Sequence, residues 1–285
     1  MSNAPDNLAS LRREIDSTDE KLHDLLMRRA EIVGEVGRQK ASAGGPTFRP
    51  AREAQLLRRL LARHSGALPS SVIVRLWREI VAASTRLQGD FSVAYSPNED
   101  HGGALRLAQS QFGLDANVNR LASPDQVVLA VGRGDVTVGM VPLAHGSDGP
   151  DWWAGPNLPK SVFVVARLPW FADGAQAAPG AYVLGATAPE ESGDDRSVFT
   201  FISANDVSRG KLAEMAAANG LEIGEQAVCD RDDVAGRVHL VDVSGFLTDA
   251  DPRVRGIASL LDGAELRWLG SYAAPYAGQA TVDTE

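Results

Sequence analysis

The chain has 285 residues and a mass of 30.2 kDa, enough for two or three domains that each bury a core. With 44% hydrophobic and 23% charged residues and no run of 18 apolar residues, it is a globular composition that excludes a helical membrane span. The net charge of −9 disfavours wholesale nucleic-acid binding, and Cys229, the only cysteine, excludes an internal disulfide and a cysteine-built metal cluster.

That cysteine usage fits a reducing compartment, and Met1 to Ser10 shows neither a basic n-region nor an apolar h-region, so a cytoplasmic protein without a secretory signal is expected. The charge is uneven. Residues 1–90 hold 15 basic and 11 acidic side chains, a net of +4, which leaves −13 on the other 195 residues. Two kinds of module are expected, and the basic one is the better place for an anionic ligand.

The first module reads as three helices. Leu8, Leu11, Ile15, Leu22, Leu25, Leu26, Ile32, Val33 and Val36 keep helical spacing from about residue 7 to about 41, and Gly44-Gly45-Pro46 ends the run. Gly34 and Gly37 weaken it without breaking it. A second helix starts near Pro50 and runs to about His64, with Leu56, Leu57, Leu60 and Leu61 as its stripe. A third opens at Pro69 and ends near Gly89. The first helix would span roughly 50 Å, the others roughly 20–30 Å. The short helices cannot cover the long stripe, so an intertwined homodimer through this module is expected.

From Phe91 the pattern changes to alternating strands and helices. "FSVAYS", "VTVGMVPLA", "SVFVVARL" and "AYVLGATA" read as strands; "GGALRLAQSQFG" and "SPDQVVLAVGRGD" read as helices, the latter capped by Ser123. Gly132 and Gly134 form only G-x-G, a turn rather than a phosphate loop. The last part reads strand, helix, strand, strand, helix, strand. Its pieces are 197–204, 208–220, "LEIGEQAVCD", "RVHLVDVSG", "DPRVRGIASLLDG" and "ELRWLGSYA", a ferredoxin-like order. Cys229 is expected to be an ordinary small buried residue there.

Polar residues inside the apolar pattern are the candidate site. Arg29 and Lys40 lie eleven residues apart, nearly three turns, on one side of the first helix. Ser84 and Gln88 are an i,i+4 pair on the third, and Arg52 and Glu53 sit in the first turn of the second. Such a set lines a pocket with guanidinium, ammonium and amide donors. Arg12 is roughly 40 Å from Lys40 along the same helix, so it can share that pocket only from another subunit.

The stretches "LRREIDSTDEKLHDLLMRRAEIVGEVGRQK", "FRPAREAQLLRRLL" and "RLWREIVAASTRLQ" closely resemble the all-helical chorismate mutases, in particular the mutase domain fused to prephenate dehydratase. The resemblance covers about residues 8–90. It implies conversion of chorismate to prephenate, a Claisen rearrangement that needs no metal or other cofactor. It also implies a substrate-binding set of Arg12 from the partner subunit with Arg29, Lys40, Arg52, Glu53, Ser84 and Gln88. Within it Lys40 and Gln88 face the breaking ether oxygen, Arg12, Arg29 and Arg52 hold carboxylates, and Glu53 accepts from the ring hydroxyl. Arg49 is given no direct role.

Residues 91–190 resemble one lobe of a prephenate dehydratase with its motifs replaced. Tyr95 is followed by "SPNEDHGGAL", Ala144 and His145 stand where the family has Glu-Asn after a proline, and the threonine-arginine-phenylalanine motif is not recognisable. His145 reads as a loop residue. Residues 191–285, preceded by "SGDDRS", resemble an ACT regulatory domain, which implies phenylalanine as effector. Gly210, Lys211 and Leu212 partly keep the family's glycine-alanine-leucine turn, whereas Glu225, Gln226, Ala227 and Val228 replace its Glu-Ser-Arg-Pro motif. The expectation is therefore a multi-domain chain. It has an all-α three-helix intertwined mutase domain (1–90), a degenerate dehydratase-like α/β lobe (91–190) and a ferredoxin-like (ACT) α+β domain (191–285). Dehydratase activity is expected to be lost. The alternatives are a bifunctional mutase–dehydratase and a non-catalytic ACT-type regulator.

Overall fold

The computed structural model describes residues 4–96, 102–143, 151–155, 158–172, 180–203, 207–230, 236–261 and 265–277. The chain forms two compact units: Met1–Phe48 with Ala83–Asp90, and Arg49–Ala82 with Phe91–Glu285. Among the described residues, no helix is long and apolar enough to cross a membrane.

The first unit is built on α1 (Ala4–Ala43), a single helix of 40 residues. It stops where Gly44 takes a left-handed φ of 72° and its N–H donates to the Lys40 carbonyl at 2.8 Å, a conformation that costs a residue without a β-carbon little. The last residues of α3 (Ser70–Arg86) and the segment to Asp90 complete the unit. Leu8, Leu11, Ile15, Leu22, Leu25, Leu26, Ile32 and Val36 stand 40–67% exposed along α1.

In the second unit α2 (Pro50–Arg63) begins on a proline, whose missing N–H would have no helical partner at that position anyway. It buries Ala51, Ala54, Leu57 and Leu61. The last three join Val74 of α3, Trp170 and Ala273 in one apolar cluster. Arg58 crosses to the carbonyls of Ser192 (3.1 Å) and Asp194 (2.6 Å).

The remainder is an α/β body. In chain order it runs β1 (Ser92–Tyr95), α4 (Gly103–Phe112), β2 (Asn117–Arg120), α5 (Pro124–Arg133), β3 (Val138–Pro142), β4 (Phe163–Leu168), β5 (Phe171–Ala172) and β6 (Ala181–Gly185). It continues with β7 (Asp195–Ser203), α6 (Arg209–Ala218), β8 (Ile223–Asp230), β9 (Arg237–Ser244), α7 (Pro252–Leu260), β10 (Glu265–Ala273) and β11 (Tyr276–Ala277). Among the described residues one sheet of nine strands runs β2-β1-β3-β6-β4-β10-β7-β9-β8, and β5 pairs with β11 separately. The border expected near residue 190 falls inside this unit, between β6 and β7. The β7-α6-β8-β9-α7-β10 run, paired β10-β7-β9-β8 with every pair antiparallel, has the ferredoxin-like order read from the sequence.

The two parts of the sheet meet at one residue pair, Val164 with Gly270. Gly270 sits beside a bulge in β10 with φ 135°, and a β-carbon there would overlap the carbonyl oxygen of Val164. Gly270→Ala is therefore expected to lower stability by about 2 kcal/mol, read as a lower urea midpoint with unchanged slope.

Local signals explain most boundaries. Ser123 Oγ accepts from the Gln126 N–H at 3.3 Å, Ser208 Oγ from Lys211 at 3.2 Å, and Asp251 from Arg253 at 2.9 Å, so α5, α6 and α7 are each capped. Gly134 ends α5 with φ 76°, so the G-x-G is a helix stop. Two expectations need correcting. Asn117–Arg120 is a strand that the sequence reading missed, a mostly exposed polar edge without apolar alternation. Cys229 is half-exposed rather than buried, because β8 is an edge strand with one neighbour. Ala144, His145 and most of the "SPNEDH" stretch lie outside the described residues.

Candidate functional site

The first unit brings four of the seven candidate side chains together. Arg29 and Lys40 come from α1, Ser84 from the last turn of α3, and Gln88 from just beyond it. Arg29 Nη1 donates to Ser84 Oγ. Lys40 Nζ donates to Gln88 Oε1 and to the Pro46 carbonyl, each at 3.0 Å. Gln88 Nε2 donates to the Ser84 carbonyl at 3.0 Å. Burial draws the Arg29 guanidinium below the usual arginine value. The four groups thus combine two cations, an amide and a hydroxyl, with no carboxylate among them. Guanidinium matches a carboxylate by paired parallel donors, and ammonium supplies a point charge.

Gly37 explains how Gln88 comes so close to α1. The residue is buried, and a β-carbon on it would lie 3.0 Å from Gln88 Cα and 3.4 Å from its Cβ. In the sequence Gly37 registers only as a weak helix former. Its use is visible only because it stands three residues before Lys40, on a neighbouring part of the same helix face.

The other three candidates are placed differently. Arg12 is exposed near the start of α1, 28 positions before Lys40 and so about 42 Å away along a continuous helix. The structure does not bring Arg12 to the four. Arg52 and Glu53 belong to the second unit, on the first turn of α2. Arg52 is exposed. Glu53 Oε2 accepts from Arg78 Nη1 at 2.9 Å, with side-chain exposures of 13% and 9%. Burial raises the Glu53 carboxyl above its ordinary range, and Arg78 pulls the other way without cancelling it. Arg78 in turn lies over the Trp170 ring, 5.6 Å from its centre.

Arg78 is a residue that the sequence reading missed. It looks like one more helical arginine, and its partner lies 25 residues away. Arg49 forms a two-pronged pair with Glu190, at 3.0 and 2.8 Å. In β8, Glu225 pairs with Arg167 of β4, and Leu212 of α6 is fully buried.

Comparison with known proteins gives a family match for the helical segment. Residues 11–89 match the family model described as chorismate mutase type II. A bifunctional chorismate mutase/prephenate dehydratase of Pseudomonas aeruginosa is 35% identical over 151 residues, 50% of this chain and 40% of that protein. A T-protein of Enterobacter agglomerans is 40% identical over 85 residues, 29% of this chain and 22% of that protein. The chain thus spans less than half the length of these curated relatives. Among solved structures, a prephenate dehydratase from Streptococcus mutans aligns with a TM-score of 0.47 at 15% identity, covering 66% of this chain and 100% of that one.

Proposed function

We propose, on the premise that residues 11–89 form a chorismate mutase type II domain, that this chain converts chorismate to prephenate. The observation that carries the reading is the gathering of Arg29, Lys40, Ser84 and Gln88 within that segment. Chorismate is a dianion with two carboxylates. Its rearrangement is intramolecular, so it needs no nucleophile. The protein must hold the compact conformer in which the bonding carbons approach. It must also stabilise the negative charge that grows on the breaking ether oxygen, an interaction realised mainly in the transition state.

In this reading Arg29 holds one carboxylate, and Lys40 and Gln88 donate to the ether oxygen. Ser84 positions Arg29, Arg52 assists on a carboxylate, and Glu53 accepts from the ring hydroxyl. Arg12 enters from a second copy of the chain. The apolar face left 40–67% exposed along α1 supports that intertwined homodimer, because a second α1 is a cover of the same length and chemistry.

We read residues 1–90 as the mutase domain, 91–190 as a dehydratase-like lobe without dehydratase activity, and 191–285 as an ACT-like domain with phenylalanine as its candidate effector, all in the cytoplasm. The ferredoxin-like strand order supports the last of these. The replacement of Arg-Pro in the β8 motif argues against the effector role and for a purely structural dimerisation role in its place.

The test is the decay of chorismate absorbance with purified full-length protein, followed by assay of the product. Prephenate without phenylpyruvate supports the reading, and phenylpyruvate formed from prephenate would restore the bifunctional alternative. Gly37→Ala supplies a second test. Its methyl displaces Gln88 without touching a charge, so kcat is expected to fall about threefold to tenfold with KM little changed. A kcat equal to that of the parent would remove Gln88 from the site.

A further inference from the structure

A cavity of about 420 Å³ opens in the second unit between α3, α4 and the turn joining β4 to β5. That volume falls in the range of small-molecule sites. Leu107, Leu168 and Trp170 give it an apolar wall, each less than 10% exposed overall. Arg75 and Arg78, one turn apart on α3, face it from the other side. Arg78 is already neutralised by Glu53 and held on the indole. Arg75 is exposed, and it makes no ion pair with any described residue. Gln111 of α4 lines the cavity, is 8% exposed, and has no hydrogen bond to any described residue. Trp170 Nε1, also of the lining, is buried without a hydrogen-bond partner among the described residues, so an acceptor delivered into the cavity is favoured at that point. None of the lining residues is acidic.

We propose that this cavity binds a small aromatic monocarboxylate that carries no α-ammonium group. The ring packs against the apolar wall of Leu107, Leu168 and the edge of Trp170, Arg75 takes the carboxylate, and the Gln111 amide donates to it. An ammonium beside the carboxylate would lose water and find no carboxylate in return, since Glu53 is committed to Arg78. The inference goes beyond the mutase reading and does not depend on it, because neither Arg75 nor Gln111 belongs to the proposed chorismate site.

The test is calorimetric titration of the full-length protein with 3-phenylpropanoate and, separately, with L-phenylalanine. One site per chain is expected for 3-phenylpropanoate, with a Kd below about 1 mM. Arg75→Ala should weaken it about tenfold or more, and Arg75→Gln should do the same if the alanine variant folds poorly. Gln111→Leu should weaken it less. L-phenylalanine should bind the cavity about tenfold more weakly, a difference seen in whatever part of its signal responds to Arg75→Ala. No saturable heat up to about 10 mM, or a Kd that ignores both Arg75 variants, would overturn the site. Equal, Arg75-dependent affinity for the two ligands would overturn its selectivity. Chorismate turnover is read in parallel, so a missing mutase activity and a missing ligand are separate outcomes.

Discussion

Lys40→Ala is expected to cut the turnover of chorismate by about a hundredfold to a thousandfold while leaving the helical content and the oligomer unchanged. Lys40 lies at the C-terminal end of α1, where its ammonium meets Gln88 Oε1 and the Pro46 carbonyl, each at 3.0 Å. In the rearrangement the carbon–oxygen bond breaks ahead of full bond formation, so charge accumulates on the ether oxygen. A fixed ammonium aimed there acts on the transition state more than on bound substrate, and its loss therefore appears in kcat rather than in KM. Lys40→Arg keeps the charge but spreads it over a planar fork, and is expected to recover only part of the rate. An unchanged kcat in Lys40→Ala would refute the assignment.

The largest stability effect is expected at Arg78. Replacing it by methionine leaves the Glu53 carboxylate buried with no counter-charge, and breaking such a pair costs about 3–5 kcal/mol. Glu53→Gln combined with Arg78→Met should cost much less, because no uncompensated charge remains.

The pH dependence follows from the direction of the Glu53 shift. Its folded carboxyl already sits above the unfolded value, and removing Arg78 raises it further. Below the unfolded value both states are protonated, and the charge contributes nothing. As pH rises, the unfolded chain ionises first and pulls the equilibrium towards itself, until the folded carboxyl ionises too. The variant should therefore lie closer to the parent in acid and fall progressively behind it through and above the carboxylate range. Urea midpoints at several pH values measure this. A deficit that grew instead towards low pH would contradict the buried-pair account.

Which parts of this molecule were readable from the sequence follows from the range of the interactions involved. The long helix announces itself through Leu8, Leu11, Ile15, Leu22 and their successors, and its end through Gly44. Ser123 and Ser208 cap helices from positions next to them in the chain. The ferredoxin-like order is legible because each of its strands alternates or runs apolar. What was not legible is carried by pairs distant in the chain. Val164 and Gly270 join the two parts of the sheet across more than a hundred residues. Glu53 finds Arg78, and Gly37 admits Gln88, through contacts that no local pattern encodes. Strand β2 escaped for the opposite reason: Asn117, Asn119 and Arg120 face solvent at an edge, where nothing selects for apolar residues.

In the candidate site, helical spacing puts Arg29 with Lys40 and Ser84 with Gln88 on one face each, and the resemblance to the all-helical chorismate mutases is what selects them as a set. Arg12 stands apart, far along α1, and the account needs it to come from another copy.

Mixing two inactive variants tests that requirement most directly. Arg12→Ala and Lys40→Ala are unfolded together, refolded as a mixture, and assayed on chorismate beside each variant alone. If the site takes Arg12 from one copy and Lys40 from the other, half the molecules are mixed dimers in which one of the two sites is intact, and about a quarter of the parental activity returns. Activity no greater than the sum of the separate variants would show that the two residues do not complement one another across copies, and the composite site would have to be abandoned.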